Sequence, residues 1–267
     1  MTRNFKGMTA AVLLAVAAGG ASADPIDLSS WIPLTLDFPG GQPAGNWVLE
    51  GPSNTAVTQV VNADPSFFRN GLNQGSYTID GSWQVLTTSD DDYMGFAFGY
   101  QNSSNFYLFD WKQTEQGYVT RNAAEGMTIK KFQGATGNGL VDLSLEEFWE
   151  NEVDFGDMDI LATNHGSTKG WADSVLYDFH LDFNLVAGQF RIIVKEGATV
   201  LWDVTVNDAT FTSGQFAFYN NSQQNVRYAG FEQEVVDPPV TVPEPGVIAL
   251  LGLALAGLGI TRRRKLH

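Results

Sequence analysis

Apolar and polar residues alternate along much of the middle of the chain. The clearest case is residues 176–185, in which Phe179, Leu181, Phe183 and Leu185 are separated by polar residues. Successive side chains of a strand point to opposite faces of a sheet, so this pattern predicts a strand with one face on a core and the other in water.

Shorter segments of the same kind predict an all-β protein. Residues 189–195 and 200–206 flank the turn Glu196-Gly197-Ala198-Thr199 and should form a hairpin. A single helix is indicated where Ser144 and Glu147 form a capping box ahead of an apolar pair. Many short strands with almost no helix predict an antiparallel jelly-roll sandwich. The remaining strands are predicted at residues 82–88, 93–100, 106–111, 127–132, 214–219 and 226–232.

The first residues have the pattern of an export signal. Arg3 and Lys6 precede an apolar stretch over residues 8–18, and small residues lead to Ala21-Ser22-Ala23. We therefore predict a signal peptide over residues 1–23, cleaved after Ala23.

The C-terminal end has three parts in a fixed order. A proline-rich linker, residues 236–245, ends in Pro243-Glu244-Pro245 and precedes a hydrophobic helix and basic tail over residues 246–267. The apolar run of about 15 residues is shorter than the roughly 20 that cross a bilayer unaided. The basic residues from Arg262 to Lys265 would hold its end in the cytoplasm. From the residues alone, a weak membrane anchor is one interpretation.

This order resembles the PEP-CTERM sorting tail of Gram-negative bacteria that produce exopolysaccharide. The resemblance implies recognition and removal of the tail by an exosortase, after transient membrane insertion through the hydrophobic helix. The product would be secreted or held at the cell surface, and anchored in the membrane before the tail is processed.

The charge and the cysteine content of the part between the two ends exclude several classes of function. Residues 24–245 contain nine basic and 30 acidic residues, a formal charge of −21. Such a charge repels nucleic acid and anionic lipid and attracts cations. The chain has no cysteine, which excludes disulfides and thiolate metal sites. Residues 24–235 have the length of one sandwich domain.

The first candidate functional residues are Asp90, Asp91 and Asp92, which lie between two predicted strands. Adjacent carboxylates repel each other by about 1 kcal/mol per close pair even in water. A bound cation removes that repulsion, and calcium takes six to eight oxygen ligands from such loops. A solvated acidic loop is the alternative, because the protein is acidic throughout.

The same region carries a second resemblance. Residues 87–101 read TTSDDDYMGFAFGYQ and are followed by Phe106-Tyr107 and Trp111-Lys112-Gln113. With Asn46-Trp47-Val48 upstream and Gly170-Trp171 downstream, this block resembles the C-terminal lectin-like domain of thrombospondins over about residues 45–232.

That resemblance implies a concanavalin-like or L-type-lectin-like sandwich that binds calcium and takes part in adhesion outside the cell. Asp90, Asp91 and Asp92 match its acidic motif, and Asn62 and Asp64 match a second loop expected nearby. The expected function is an exported, non-enzymatic adhesion or biofilm-matrix protein that contacts extracellular polysaccharide or cell-surface components. Which of these oxygens hold metal stays open.

Two alternatives remain. A carbohydrate-binding module would use exposed aromatic platforms, drawn from Trp83, Tyr100, Tyr107, Trp111, Trp171 and Trp202, although core packing is the more common role of large aromatic residues. A glycoside hydrolase would need two carboxylates about 5 to 9 Å apart, for which the segment from Glu152 to Asp159 is the candidate. His165, His180 and His267 stand in no catalytic motif.

Overall fold

A computed structural model describes residues 25–235 of the chain. The signal peptide predicted over residues 1–23, the linker over 236–245 and the sorting helix over 246–267 lie outside the described residues. Across residues 25–235, no helix has both the length and the apolar character needed to cross a bilayer.

The described part consists of strands with two short helices. The bounds of the first ten strands are β1 Ile32–Thr35, β2 Trp47–Glu50, β3 Ala56–Gln59, β4 Ser66–Arg69, β5 Tyr77–Val85, β6 Tyr93–Asn102, β7 Asn105–Lys112, β8 Gln116–Tyr118, β9 Arg121–Ala123 and β10 Gly126–Gln133. The helices α1 Gly139–Asp142 and α2 Leu145–Trp149 follow, and then β11 Met158–His165, β12 Leu176–Val186, β13 Gln189–Glu196, β14 Thr199–Asn207, β15 Gln215–Asn221 and β16 Val226–Val235.

The strands form two seven-stranded sheets and a small ribbon. Sheet A has the order β1-β4-β15-β6-β7-β10-β11, sheet B has the order β14-β13-β12-β5-β16-β3-β2, and β8 pairs with β9. Every pairing is antiparallel. The predicted antiparallel sandwich of the lectin-like type is confirmed.

A main core, rich in aromatic rings, lies between the two sheets. Trp83 of sheet B stacks on Phe179 at a ring-centroid distance of 4.8 Å and faces Phe109 of sheet A at 5.7 Å. Phe96 completes this layer, and all four side chains are at most 2% exposed. Burial of this much apolar surface is the principal stabilising contribution in a chain that has no disulfide.

A second core covers the opposite face of sheet A. Phe148 and Trp149 of α2 pack there against residues of β6, β7, β10 and β15, including Tyr93 and Tyr219. Sheet A is therefore buried on both faces, which explains why the sequence of β6 is apolar without alternation. Sheet B has one solvent face, and β12 alternates as predicted.

Several predicted details are confirmed. β13 and β14 form the expected hairpin, with Glu196 opposite Thr199. The Glu147 carboxylate accepts hydrogen bonds from the backbone N–H and the hydroxyl of Ser144, so the capping box begins α2.

Other details were wrong or missed. The strand predicted over residues 82–88 is β5, which begins at Tyr77 and ends at Val85. Gly81 does not interrupt it, because this residue faces the core and a Cβ atom there would lie 2.5 Å from a ring carbon of Phe231. Strands β1–β4, β8, β9 and β11 were not predicted, because they are short or lack strict alternation.

Candidate metal centre

Three loops meet beside the first residues of β6. Asn62 Nδ2 donates to Asp90 Oδ2 at 3.1 Å, and the backbone N–H of Gln224 donates to the same oxygen at 3.2 Å. The Ser222 N–H donates to the Ala63 carbonyl at 2.7 Å. Segments distant in sequence are therefore held together at one rim of the sandwich.

Asp90, Asp91 and Asp92 occupy the loop that enters β6. One carboxylate oxygen from each residue lies within 4.8 Å of the others. Asp92 is 5% exposed, and the other two are half-buried. The expected cluster of acidic residues is therefore present as a compact group.

Lys112, the last residue of β7, lies against this group. Its Nζ donates to Asp92 Oδ1 at 2.8 Å and Asp91 Oδ1 at 3.2 Å, and to the Asp91 carbonyl and Gln116 Oε1 at 2.8 Å each. The strand register places Lys112 opposite Tyr93 and so brings its side chain to the loop. Its charge compensates Asp91 and Asp92, whereas Asp90 pairs with no cationic group among residues 25–235.

The pKa of Asp90 is shifted differently from the pKa values of Asp91 and Asp92. Burial, and then the charges of Asp92 and Asp91, raise the pKa of Asp90 to about 6. Burial also acts on Asp91, but the Thr114 hydroxyl and the Lys112 ammonium outweigh it and lower the pKa of that carboxyl. For Asp92, burial outweighs Lys112, and its pKa is raised. Asp90 is therefore the carboxylate whose charge costs most when no cation is bound.

Asn62 and Asp64 have different surroundings. Asn62 Oδ1 is buried and has no hydrogen-bond partner among the described residues, although its Nδ2 contacts Asp90. The Asp64 carboxylate lies outside the 4.8 Å group and accepts from the backbone N–H groups of Phe38 at 2.8 Å and Gln42 at 2.7 Å. Burial raises its pKa against these two hydrogen bonds. Asn62 thus joins the acidic cluster, and Asp64 fixes the loop over residues 38–42.

A pocket of about 290 Å³ adjoins the cluster. Asp64, Asp92 and Gln42 supply polar lining, and Tyr118 and Trp149 supply an aromatic side. Gln42 Oε1 is buried without a hydrogen-bond partner in the described chain. A concave site with an aromatic side and an unsatisfied polar atom can bind a small polar ligand.

The residues considered for other functions have structural contacts. Trp83, Tyr100, Tyr107, Trp111 and Trp171 are at most 2% exposed, and Trp202 packs partly buried against the main core. Among the acids of the hydrolase hypothesis, Asp154 Oδ1 accepts from the Ile160 N–H at 2.8 Å and Asp159 pairs with Lys131 at 3.0 Å. His165 bonds Thr128, and His180 pairs with Asp80 and Asp182 on the solvent face of sheet B.

Similarity to known proteins identifies the chain. The family model described as the thrombospondin C-terminal region matches residues 42–237, which include both sheets from β2 onward and the acidic cluster. The chain belongs to the thrombospondin C-terminal family. A second model, the PEP-CTERM protein-sorting motif, matches residues 241–265. Both resemblances seen in the sequence are confirmed.

Among full-length relatives, thrombospondin-4-B of Danio rerio is 31% identical over 225 residues, which are 82% of this chain and 23% of that protein. The chain thus spans about a quarter of the length of the curated relatives it matches. Two similar solved structures are the carbohydrate-binding module CBM66 from Bacillus subtilis and the lumenal domain of VIP36 in a Ca²⁺- and Man3GlcNAc-bound form. The CBM66 structure has a TM-score of 0.46 and 12% sequence identity, and the match covers 74% of this chain and 99% of that one. The VIP36 structure has a TM-score of 0.48 and 10% sequence identity, and the match covers 84% of this chain and 92% of that one.

Proposed function

We propose that this protein is an exported, non-enzymatic adhesion or matrix protein that binds calcium through the Asp90–Asp92 loop. The observation that supports calcium best is the group of three carboxylate oxygens within 4.8 Å of one another, next to Asn62, whose Oδ1 has no hydrogen-bond partner in the described part of the chain. Carboxylate and amide oxygens are the ligands that calcium prefers.

Asp90 and Asn62 are the proposed principal ligands, and Asp91 and Asp92 complete the cluster. Lys112 already compensates part of the charge of Asp91 and Asp92, so a cation has most to gain near Asp90. The raised pKa of Asp90 supports this assignment, because a divalent ion relieves both the burial cost and the repulsion. Asp64 was expected as a ligand from the family motif, and we propose that it acts indirectly, through the loop over residues 38–42.

A calcium titration tests this assignment. Residues 24–237 contain both sheets and both cores, and their melting temperature would be followed as calcium is added after treatment with EDTA. A ligand of the native state stabilises it by RT ln(1 + [L]/Kd), so the melting temperature should rise with concentration. Asp178→Asn, at an exposed position on β12, is the control for the loss of one negative charge. No rise at millimolar calcium would contradict the proposal.

The ends of the chain support a location at the cell exterior. We propose that the signal peptide directs export, and that an exosortase removes the PEP-CTERM tail of a protein briefly anchored in the membrane of a Gram-negative bacterium. Glu244→Ala in the Pro243-Glu244-Pro245 motif should leave the chain in the membrane fraction, whereas the wild type reaches the surface or the medium. Identical fractionation of the two would contradict this route.

Carbohydrate binding is a second candidate, and the pocket between Tyr118 and Asp64 favours it. Polysaccharide of the biofilm matrix would be the partner. On a glycan array the protein should retain a saccharide without releasing product, and Tyr118→Ala should reduce that retention. Turnover of a polysaccharide that disappears in Glu152→Gln or Asp157→Asn would instead establish a hydrolase.

A further inference from the structure

Two oppositely charged side chains lie deep in the second core, away from the acidic loop. Asp110 of β7 and Lys130 of β10 are both 0% exposed, and Lys130 Nζ lies 2.7 Å from Asp110 Oδ2. The register pairs Asp110 with Thr128 and Lys130 with Leu108. The two side chains are therefore diagonal neighbours on the same face of adjacent antiparallel strands, where long side chains reach each other.

Their surroundings satisfy an ion pair poorly. Lys130 Nζ donates to the Phe148 carbonyl at 2.9 Å and lies 5.0 Å from the centre of the Tyr93 ring. Asp110 Oδ1 and the Tyr219 hydroxyl have no hydrogen-bond partner in the described part of the chain. A carboxylate normally accepts several hydrogen bonds, and a buried ion pair is costly unless its remaining atoms are satisfied.

Burial shifts both groups toward their uncharged forms. Burial raises the pKa of Asp110 to about 6, against the opposing effect of Lys130. Burial lowers the pKa of Lys130 despite the nearby carboxylate. A neutral amine is a nucleophile, and a protonated carboxyl group is a better electrophile than a carboxylate.

We propose that Lys130 and Asp110 condense to an intramolecular amide that links β7 to β10 covalently. The lone pair of neutral Nζ attacks Cγ of the protonated Asp110 carboxyl, and the new C–N bond forms. One C–O bond then breaks, and its hydroxyl leaves as water with a proton from the amine. No oxidant, reductant or cofactor is required.

The product fits the same site better than the ion pair does. An amide nitrogen keeps one N–H, which the Phe148 carbonyl already faces, and its loss of charge removes the cost of burial. The Tyr219 hydroxyl, which lacks a hydrogen-bond partner among residues 25–235, belongs to the same core. The bond would close a loop in an exported chain that has no cysteine for this purpose.

Lys112 provides a comparison within the same protein. It is equally buried and lies 2.8 Å from Asp92 Oδ1, but three further oxygens also accept from its Nζ. Four oxygens therefore hold Lys112 Nζ in place, whereas Lys130 Nζ has, among the described residues, only the Phe148 carbonyl besides Asp110. We therefore expect Lys130, and not Lys112, to be modified.

Peptide mapping of the full chain tests the proposal. The purified protein is denatured and digested with trypsin, which does not cleave after an acylated lysine. We expect residues 70–112 joined to residues 122–131, with a mass lower than the two peptides combined by one water molecule. Fragmentation should locate the link at Asp110 and Lys130, and cleavage after Lys112 should be normal. Unlinked peptides ending at Lys112 and Lys130, from folded wild type incubated near the pKa of Asp110, would overturn the proposal and leave an ion pair only.

Variants identify the reacting atoms. Lys130→Arg and Asp110→Ala should yield no linked peptide. Asp110→Asn should yield the same linked mass as the wild type, because the amide would leave as ammonia instead of water. Lys131→Arg, which alters the adjacent lysine that pairs with Asp159 and Asp208, should retain the link. The wild-type digest decides the question even if a variant fails to fold, and a link retained in Lys130→Arg would also refute the assignment.

Discussion

Replacing Asp90 with asparagine should stabilise the calcium-free protein and remove most of its response to calcium. Asparagine keeps an oxygen that can accept from Asn62 and from the Gln224 N–H, but it carries no charge. The substitution therefore removes the repulsion and the burial cost while the hydrogen bonds of the loop are maintained.

The size of the effect follows from the pKa of Asp90, which is raised from 3.8 to about 6. One pKa unit corresponds to about 1.4 kcal/mol, so two units give roughly 3 kcal/mol. Because the residue is only half-buried, solvent screening reduces this to about 1 kcal/mol. A change of that size moves the melting temperature of a domain of this length by about 2 to 4 °C.

The sign of the pH dependence provides an independent check. The folded-state pKa lies above the unfolded value, so the native protein binds this proton more tightly. Without metal, the contribution of Asp90 to the free energy of unfolding falls as pH rises from about 4 to about 6. Asp90→Asn lacks this titration, and the two proteins should differ at neutral pH but converge at lower pH.

The assay is thermal unfolding followed by circular dichroism, in EDTA and in excess calcium, with Asp178→Asn as the charge control. The variant should melt above the wild type in EDTA and should gain little from calcium. If it melts at or below the wild type in EDTA at neutral pH, the charge of Asp90 does not destabilise the native protein. If calcium raises both melting temperatures equally, Asp90 is not a ligand.

Three further substitutions test other parts of the structure. Lys112→Met should lower the free energy of unfolding by about 3 kcal/mol, measured by urea denaturation without calcium, because it leaves Asp92 buried and unpaired. A loss below about 1 kcal/mol would argue against a stabilising ion pair between Lys112 and Asp92. Trp83→Ala should lower the free energy of unfolding by about 3 to 5 kcal/mol in the same assay, because it leaves a cavity between Phe179 and Phe109. The control Thr205→Ala, on the exposed surface of β14, should change the free energy of unfolding little. The hydrogen bond with Asp80 raises the pKa of His180. The contribution of His180 to the free energy of unfolding is therefore complete below about pH 6.5 and is lost as pH rises through the folded-state pKa. His180→Gln should remove this pH dependence of stability, and an unchanged pH profile in the variant would contradict the prediction.

Strands with one solvent face were the easiest to predict. The alternation of β12 and the turn before β14 are local properties, and the structure has both where the sequence placed them. β5 begins at Tyr77, five residues before the predicted start, and it continues through Gly81, whose lack of a side chain accommodates the rings of Phe179 and Phe231. The contact that determines this residue comes from distant strands, and a local pattern does not contain it.

The candidate metal centre was likewise only partly predictable from the sequence. Asp90, Asp91 and Asp92 are adjacent in sequence, so their proximity could be predicted from the chain alone. Lys112 was visible within the family motif, but its three hydrogen bonds to the acidic loop depend on the pairing of β6 with β7. Asp64 shares a loop with Asn62 and yet points to different partners, because its carboxylate is held by the N–H groups of Phe38 and Gln42.

The sequence by itself determined the all-β class, the family, the sorting motif and the acidic loop, because periodicity and short motifs are encoded by neighbouring residues. Only the tertiary structure decided which charges meet inside the molecule. Asp110 and Lys130 belong to segments that a linear pattern treats as ordinary strands, and antiparallel pairing under a second aromatic core brings them to 2.7 Å. Their chemistry depends on the exclusion of water from that core, which residues far apart in the chain produce together.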